Sequence, residues 1–185
     1  MFHVLKGCMG IRCDGVSKLS IGNVSVAHVR NEGAIGTSLA GAYFGSSGHP
    51  LQNDDIGYGG NQARAIIIAG CWSPEIRHVQ ICNTVSDTGS AWGLEIMNNS
   101  EFTVVDRVHI INVHACASDD PARKPTIPNS GCAAIGLDVH EVVSAMVSRV
   151  RIQQLRGRSI SFVNSPFGKV TSGPGMVFSM AYNAD

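Results

Sequence analysis

The sequence predicts an all-β fold, a parallel β-helix solenoid, from three observations. Short segments alternate apolar and polar residues with period two, which is typical of strands that bury one face. The segments recur in pairs, and the two members of each pair keep a nearly constant separation. The 185 residues include 21 glycines and are 44% hydrophobic, which suits tight turns around one continuous core. A helical solenoid would instead show the longer period of an α-helix.

The elements follow in order along the chain. The first member of each pair is a short alternating segment with an apolar residue at each end, found at residues 11–13, 66–68, 94–96 and 137–139. The second member reads apolar, polar, apolar, then two mostly polar residues and a further apolar or small one. It is found at residues 24–29, 79–84, 108–113 and 150–155. Strands that recur in phase are expected to stack in parallel, with about 4.8 Å between neighbouring turns.

The separations fix the register of the repeat. The equivalent residues of each pair are Cys13 and Val26, Ile68 and Ile81, Ile96 and Ile110, and Val139 and Ile152. Their separation is identical in three of the pairs and one position longer in the pair of Ile96 with Ile110.

The spacing between successive pairs gives the length of a turn. The stretch from Ile81 to Ile110 is interpreted as one turn, and the longer stretch from Ile110 to Ile152 as one turn with an inserted loop. The stretch from Val26 to Ile81 is nearly twice as long as the first of these and is interpreted as two turns. The second of the two would pass through Ile35, Leu39 or Ile56, in a register left open.

The prediction is therefore one domain over residues 1–185, a solenoid of roughly six rungs with loop insertions at about 40–62 and 115–131. Both insertions are rich in turn-forming residues, and long insertions in solenoids often carry the binding surface. Residues 170–185 are expected to cap the last rung. The ends otherwise look uncapped, so we expect a fragment of a longer protein or a chain that stacks end to end on another chain or domain.

Residues 10–16 (GIRCDGV) and 19–26 (LSIGNVSV) carry a pattern that recurs from about residue 4 to 164. This pattern resembles the right-handed parallel β-helix repeats of the pectin-lyase-like superfamily. The resemblance implies a right-handed solenoid. It also implies polysaccharide as the substrate class, because the superfamily is rich in polysaccharide lyases and glycoside hydrolases. Tailspikes and adhesins share the fold, so a non-enzymatic structural or surface-fibre module, or a subunit of a larger assembly, is the alternative.

Outward positions of the longer segments carry a strip of cations. The members predicted to bind substrate are His78, Arg107, His109, Arg149 and Arg151. Guanidinium groups bind carboxylates and sulfates in bidentate fashion, so the strip predicts an acidic polysaccharide as partner. The alternative is a solvated face whose charges pair with Asp106 or Glu101.

Glu95 and Asp138 are the candidate catalytic residues. They share one outward position in successive turns, and two carboxylates about one strand spacing apart raise each other's proton affinity. Such a short separation resembles that of retaining glycosidases. His140 follows closely and also points outward. The alternative is a pair of stacked carboxylates screened by basic neighbours on a solvated sheet.

Two further acidic pairs, Asp54–Asp55 and Asp119–Asp120, resemble the paired aspartates of polygalacturonase-type hydrolases. The Gly-His-Gly and Arg-x-Lys motifs of those enzymes are missing from this sequence. We therefore predict no cofactor and no metal site, while the loop carboxylates leave Ca²⁺ open as a ligand.

Two sets of residues are predicted to be structural. Asn83, Asn112 and Gln154 fall at one phase of the repeat and are expected to form an amide ladder along the solenoid. The six cysteines form no zinc motif, and a Cys116–Cys132 disulfide would close the second loop.

Charge and hydropathy exclude two classes of partner. The 14 basic and 14 acidic residues balance, which argues against a general nucleic-acid binder. No apolar run is long enough to span a bilayer. We therefore expect a module that engages acidic glycans and that could cleave them, with an extracellular or surface location favoured.

Overall fold

The chain is built from parallel strands that stack in two sheets. The computed structural model describes residues 8–32, 62–87, 89–119, 133–157, 159–164, 168–172 and 177–182. The strands in these ranges are β1 (Cys8–Asp14), β2 (Ser20–Asn31), β3 (Ala63–Ala69), β4 (Glu75–Ser86), β5 (Ala91–Met97), β6 (Thr103–Ala115), β7 (Ala133–Val139), β8 (Val142–Arg156), β9 (Ser159–Asn164), β10 (Gly168–Ser172) and β11 (Val177–Tyr182). The described residues contain no helix, and hence none long and apolar enough to cross a membrane.

From β1 to β10, odd-numbered and even-numbered strands lie in different sheets. The first sheet has the order β1-β3-β5-β7-β9, and the second has the order β10-β8-β6-β4-β2, with β11 also pairing with β8. From β1 to β8, each short strand is followed along the chain by a long one, and every pairing between strands is parallel. The prediction of an all-β, parallel, repeating architecture is confirmed, and the two stacks are consistent with a β-solenoid-like fold.

The predicted register is confirmed as well. All eight predicted segments lie inside strands β1 to β8. In the first sheet the paired residues are Cys13, Ile68, Ile96 and Val139. In the second sheet they are Val26, Ile81, Ile110 and Ile152. The recurring apolar residue therefore marks the same inward position in each turn.

The interpretation of the stretch from Val26 to Ile81 as two turns is wrong. Val26 of β2 pairs directly with Ile81 of β4, and Cys13 of β1 pairs directly with Ile68 of β3. A strand has two hydrogen-bonding edges, and those of β4 are taken by β2 and β6, so no further strand fits between them. This stretch therefore adds no strand between β1 and β3 or between β2 and β4, as the two-turn interpretation required. Ile35, Leu39 and Ile56 lie outside the described residues.

The core lies between the two sheets. Inward residues such as Leu94, Ile96 and Leu137 of the first sheet pack with Ile110 and Ile152 of the second, and all five are fully buried. Burying each such side chain contributes roughly 1.5–3 kcal/mol. Because the two sheets share this core, the positions of their outer faces relative to each other are fixed.

The last strands extend both sheets. Strand β9 continues the first sheet by pairing with β7. Strands β10 and β11 pair with the first and second halves of β8, so together they continue the second sheet. These two strands account for the described part of the region predicted to be a cap.

Candidate functional site

The predicted site residues fall into two groups on different sheets. The candidate catalytic residues Glu95 and Asp138 lie on β5 and β7 of the first sheet. The cationic strip lies on β4, β6 and β8 of the second sheet. A ligand that used both groups would have to reach from one sheet to the other.

The structure brings Glu95 and Asp138 together. They are direct partners in the pairing of β5 with β7. One ligand atom each of Glu95, Asp138 and His140 lies within 4.8 Å of the others. Glu95 is only 2% exposed and Asp138 only 1%, so the pair is covered rather than displayed on a solvated sheet. The sheet is therefore not solvated at this point, as the alternative supposed, but Glu95 does have a basic neighbour, Arg64, as the alternative required.

A ring of polar contacts holds this carboxylate cluster in place. Trp92 donates its indole N–H to Asp138 Oδ2 over 3.1 Å, and His140 Nδ1 lies 3.3 Å from Asp138 Oδ1. Arg64 Nε lies 3.2 Å from Glu95 Oε2, and its guanidinium carbon lies 4.9 Å from the centroid of a Trp92 ring. Buried carboxylates require charged and hydrogen-bonding partners of this kind.

Sequence reasoning missed Arg64 and Trp92. Trp92 lies three residues before Glu95 on β5, and Arg64 lies three residues before Ile67, the equivalent residue on β3. Arg64 and Trp92 are direct partners in the pairing of these strands. The signal was present as a polar or aromatic residue at the same phase of two successive turns. It was hidden because the repeat was defined by its apolar residues alone.

The carboxylate cluster has the donor set of a proton-transfer site or of a cation site. Two carboxylates and an imidazole can exchange protons, and the same three groups could jointly hold a metal ion.

Of the loop carboxylates predicted as possible Ca²⁺ ligands, the structure describes one. Asp119 is exposed, whereas Asp54, Asp55 and Asp120 lie outside the described residues.

The cationic strip lies at a bend rather than on a flat strand face. Each long strand from β2 to β8 contains two single residues with positive φ, five positions apart. The first bend is formed by Asn23, His78, Arg107 and Arg149, with φ between 50° and 56°. Arginine rarely adopts this conformation, so residue preferences at these positions do not reveal the bend. All four side chains are exposed at this corner of the second sheet.

Asp106 lies beneath the strip and contacts three arginines. Its carboxylate is nearly buried and accepts hydrogen bonds from Arg149 Nε at 2.6 Å, Arg149 Nη2 at 2.5 Å and the Ser148 hydroxyl at 2.7 Å. Arg77 Nη1 lies 3.6 Å from the same carboxylate, and Arg107 Nε lies 4.0 Å from it. The hydrogen bonds from Arg149 outweigh the effect of burial and hold the pKa of Asp106 below its ordinary value.

The remaining members of the strip are less engaged. Arg107 Nη1 lies 2.5 Å from His78 Nε2, and His109 Nε2 lies 2.9 Å from Gln153 Oε1. Arg151 is exposed and forms no ion pair with any described residue. The predicted alternative of pairing with Asp106 thus applies to Arg149, Arg77 and Arg107. Arg77 also pairs with Glu75 over 3.0 Å, so Arg151 is the strip arginine without an ion pair among the described residues.

The second bend contains the predicted amide ladder. Its residues are His28, Asn83, Asn112 and Gln154, with φ between 57° and 59°. Asn112 donates its side-chain N–H to Asn83 Oδ1 over 2.8 Å. Asparagine suits this column because it tolerates positive φ and because its amide both donates and accepts.

The cysteines divide into two kinds. Cys8, Cys13, Cys71 and Cys82 are free thiols, whereas Cys116 is disulfide-bonded. Its predicted partner, Cys132, lies outside the described residues. Burial raises the pKa of the Cys13 thiol, with smaller contributions from Cys71 and Asp14, which suits a packing role.

The side chains themselves carry the functional inference. No family model, no curated protein and no solved structure matches this chain. Of the two groups, the strip is accessible to a polymer and the carboxylate cluster is almost fully covered.

Proposed function

We propose that this protein is a polysaccharide-engaging β-solenoid module that binds acidic glycans along the cationic strip. We further propose that the solenoid is the right-handed parallel β-helix of the pectin-lyase-like type that the sequence resembles. Crossover connections between parallel strands of one sheet are right-handed in about 98% of proteins, which supports that hand. The disulfide at Cys116 supports an extracellular or surface location.

The observation that carries this proposal is the choice of residues at the first bend. Both bend columns require positive φ; the first has Asn23, His78, Arg107 and Arg149, and the second has His28, Asn83, Asn112 and Gln154. Asparagine and histidine tolerate the left-handed conformation. The first column differs by its two arginines, Arg107 and Arg149, for which this conformation costs of order 1–3 kcal/mol each. Strain of this kind tends to collect at functional sites. Cationic side chains at strained and exposed positions therefore favour a function in binding an anionic ligand.

Charge and spacing define the ligand. Four arginines (Arg77, Arg107, Arg149 and Arg151) lie in or beside the strip. The same strands carry the carboxylates of Glu75 and Asp106, and the turns before β6 and β8 carry those of Glu101 and Glu141. Successive cations along a column are separated by one strand spacing, about 4.8 Å. A polymer with regularly repeated carboxylates or sulfates, such as a uronic or sulfated glycan, presents anions at comparable intervals along one edge.

Calorimetric titration with oligogalacturonate and with a sulfated uronic oligosaccharide tests this function. We expect binding that weakens as salt is raised, because the strip is exposed to solvent. Replacement of two strip cations by Arg107→Gln and Arg151→Gln should lower the affinity about tenfold, which corresponds to about 1.4 kcal/mol. These positions are chosen because Arg149 also neutralises buried Asp106.

The matched control is Arg12→Gln on the first sheet, where an arginine of similar exposure pairs with Asp14. This variant should bind as the wild type does. Absence of binding to both glycans at low salt would show the proposal to be wrong and would favour the structural-module alternative. An equal loss in the Arg12 variant would show that only overall charge matters.

A second candidate function is glycan cleavage at the carboxylate cluster of the first sheet, a site separate from the strip. It is favoured by the close approach of Glu95, Asp138 and His140, which fits the short spacing of a retaining hydrolase. In that reaction one carboxylate attacks the anomeric carbon and the other protonates the departing oxygen. Water, deprotonated by the second group, then releases the sugar and restores both residues.

Product assays on the same glycans test cleavage separately from binding. New reducing ends would indicate hydrolysis, and absorbance from an unsaturated sugar would indicate lysis. Glu95→Gln and Asp138→Asn should each abolish the product, whereas Asp14→Asn, which changes an exposed carboxylate on β1 of the same sheet, should not. Binding without any product would assign the protein to the non-enzymatic class.

A further inference from the structure

Four large apolar side chains are exposed at the end of the second sheet where strands β4, β6 and β8 begin. Trp72 is 50% exposed, Phe102 52%, Val143 55% and Met146 49%. Trp72 and Phe102 lie in the turns that precede β4 and β6, and Val143 and Met146 lie in the first half of β8. We call these four residues the apolar corner. Two of them, Trp72 and Phe102, are in direct contact, and a contiguous exposed apolar patch marks a candidate contact surface.

The backbone of the apolar corner is well fixed. Trp72 forms parallel bridges with Ser17 on one side and Glu101 on the other. The Trp72 amide donates to the Val16 carbonyl over 3.0 Å, and the Lys18 amide donates to the Trp72 carbonyl over 2.8 Å. The rings of Trp72 and Phe102 meet edge to face, with centroids 5.2 Å apart at an interplanar angle of 74°. The two rings therefore support each other while each residue stays about half exposed to solvent.

The apolar corner lies next to the cationic strip. Trp72 precedes Arg77 by five residues, and Met146 precedes Arg149 by three. At about 3.3 Å per residue, these separations span at most roughly 10–17 Å of the outer surface. The register of β4, β6 and β8 keeps both features side by side over three successive turns.

A ligand for this combined surface needs a rigid apolar face and an anionic group at its edge. A uronic acid ring has both, because its axial C–H groups form an apolar face and its carboxylate projects from the rim. An acidic peptide offers the charges without the rigid face, and an apolar protein partner would leave the neighbouring arginines unused.

We propose that Trp72 and Phe102 form an aromatic subsite on which a sugar ring of the acidic glycan stacks while its carboxylate or sulfate binds the arginines of the strip. This inference rests on the proposed glycan binding and adds the subsite that recognises the sugar ring itself. It predicts selectivity for acidic sugars over other polyanions of equal charge.

The test compares Trp72→Ala and Phe102→Asn with the wild type in titrations of oligogalacturonate. Asparagine is chosen at position 102 because φ there is 52°. We expect each variant to lose about tenfold in affinity, and the loss should be the same at low and high salt because stacking is not screened. Trp72→Tyr should retain most of the affinity. Thermal unfolding of each variant shows that the fold persists.

The control is Met9→Ala on the first sheet, a similarly exposed apolar residue that should leave the affinity unchanged. If the wild type binds, the Arg107 and Arg151 variant binds weakly and the ring variants bind normally, the subsite is wrong and the strip proposal stands. If the wild type binds no acidic glycan, the proposed function itself fails. Equal binding of polyglutamate, or a change in oligomer mass caused by Trp72→Ala, would overturn the glycan assignment in favour of a peptide or a second copy of the chain.

Discussion

Arg149 holds Asp106 through two nitrogens, with Nε 2.6 Å from Oδ1 and Nη2 2.5 Å from Oδ2. The contact is asymmetric in exposure, since the Asp106 side chain is 4% exposed and that of Arg149 is 49% exposed. A bidentate pair of this geometry fixes the guanidinium plane as well as its position. The nearly buried carboxylate therefore orders the exposed cations above it, which links the stability of the second sheet to its proposed binding surface.

Replacement of Asp106 by asparagine should destabilise the fold. The variant leaves three neighbouring arginines facing one another without their shared anion, and it weakens the hydrogen bonds of a buried group. We expect the free energy of unfolding to fall by about 2–3 kcal/mol, measured by urea denaturation. Asp14→Asn removes a half-exposed pair with Arg12 and should cost less than about 1 kcal/mol. Equal losses in the two variants would contradict the anchoring role of Asp106.

The same pair predicts a pH dependence. The contact with Arg149 lowers the pKa of Asp106 below its ordinary value of 3.8. A carboxyl whose pKa is lower in the folded state stabilises the protein above the unfolded-state pKa, and this contribution is lost as the pH falls through the folded-state value. The stability difference between the wild type and Asp106→Asn should be constant from about pH 7 to 5 and should shrink below about pH 4. A difference that grows on acidification would contradict this assignment.

The register of the repeated strands could be predicted because it depends on a repeated physical requirement. Cys13, Ile68, Ile96 and Val139 all point into the same core, so each turn had to place an apolar residue at that phase. The stretch between Val26 and Ile81 could not be predicted in the same way. Its length suits two short turns as well as one turn with an insertion, and only the direct pairing of β2 with β4 distinguishes the two.

The sequence predicted which residues form the candidate catalytic pair, but not how deeply they are buried or which side chains contact them. Stacking of Glu95 on Asp138 followed from the register, whereas their burial and their contacts with Arg64 and Trp92 did not. Likewise, the cations of the strip were visible, but the positive φ of Arg107 and its equivalents was not. Local residue preferences disfavour that backbone conformation for these types, and the tertiary repeat overrides the preference.

The amide ladder should contribute to stability beyond its backbone conformation. Asn112 combines positive φ with a hydrogen bond to Asn83, whereas exposed Asn99 also has positive φ and lies in a turn outside the strands. Asn99→Ala should therefore cost about 1 kcal/mol for the backbone alone. Asn112→Ala should cost about 2 kcal/mol, since it also removes the amide contact. Denaturant unfolding of both variants checks this, and a loss at position 112 no larger than at 99 would mean that the ladder adds nothing.

Gly93 should tolerate no side chain, because this part of the first sheet lies against both a neighbouring backbone and the core. A methyl group at Gly93 would lie 2.6 Å from the Gly136 carbonyl oxygen and 2.6 Å from Ile110 Cγ2. The carbonyl cannot yield without disturbing the strand, so we expect Gly93→Ala to lower the free energy of unfolding by about 1–3 kcal/mol. Gly22→Ala is the control, since its methyl group would meet only the Arg77 carbonyl oxygen at 3.6 Å, an ordinary contact. Thermal and urea unfolding should show a near-neutral change at position 22. A near-neutral change at position 93 would show that the two sheets do not approach each other as closely as the structure requires.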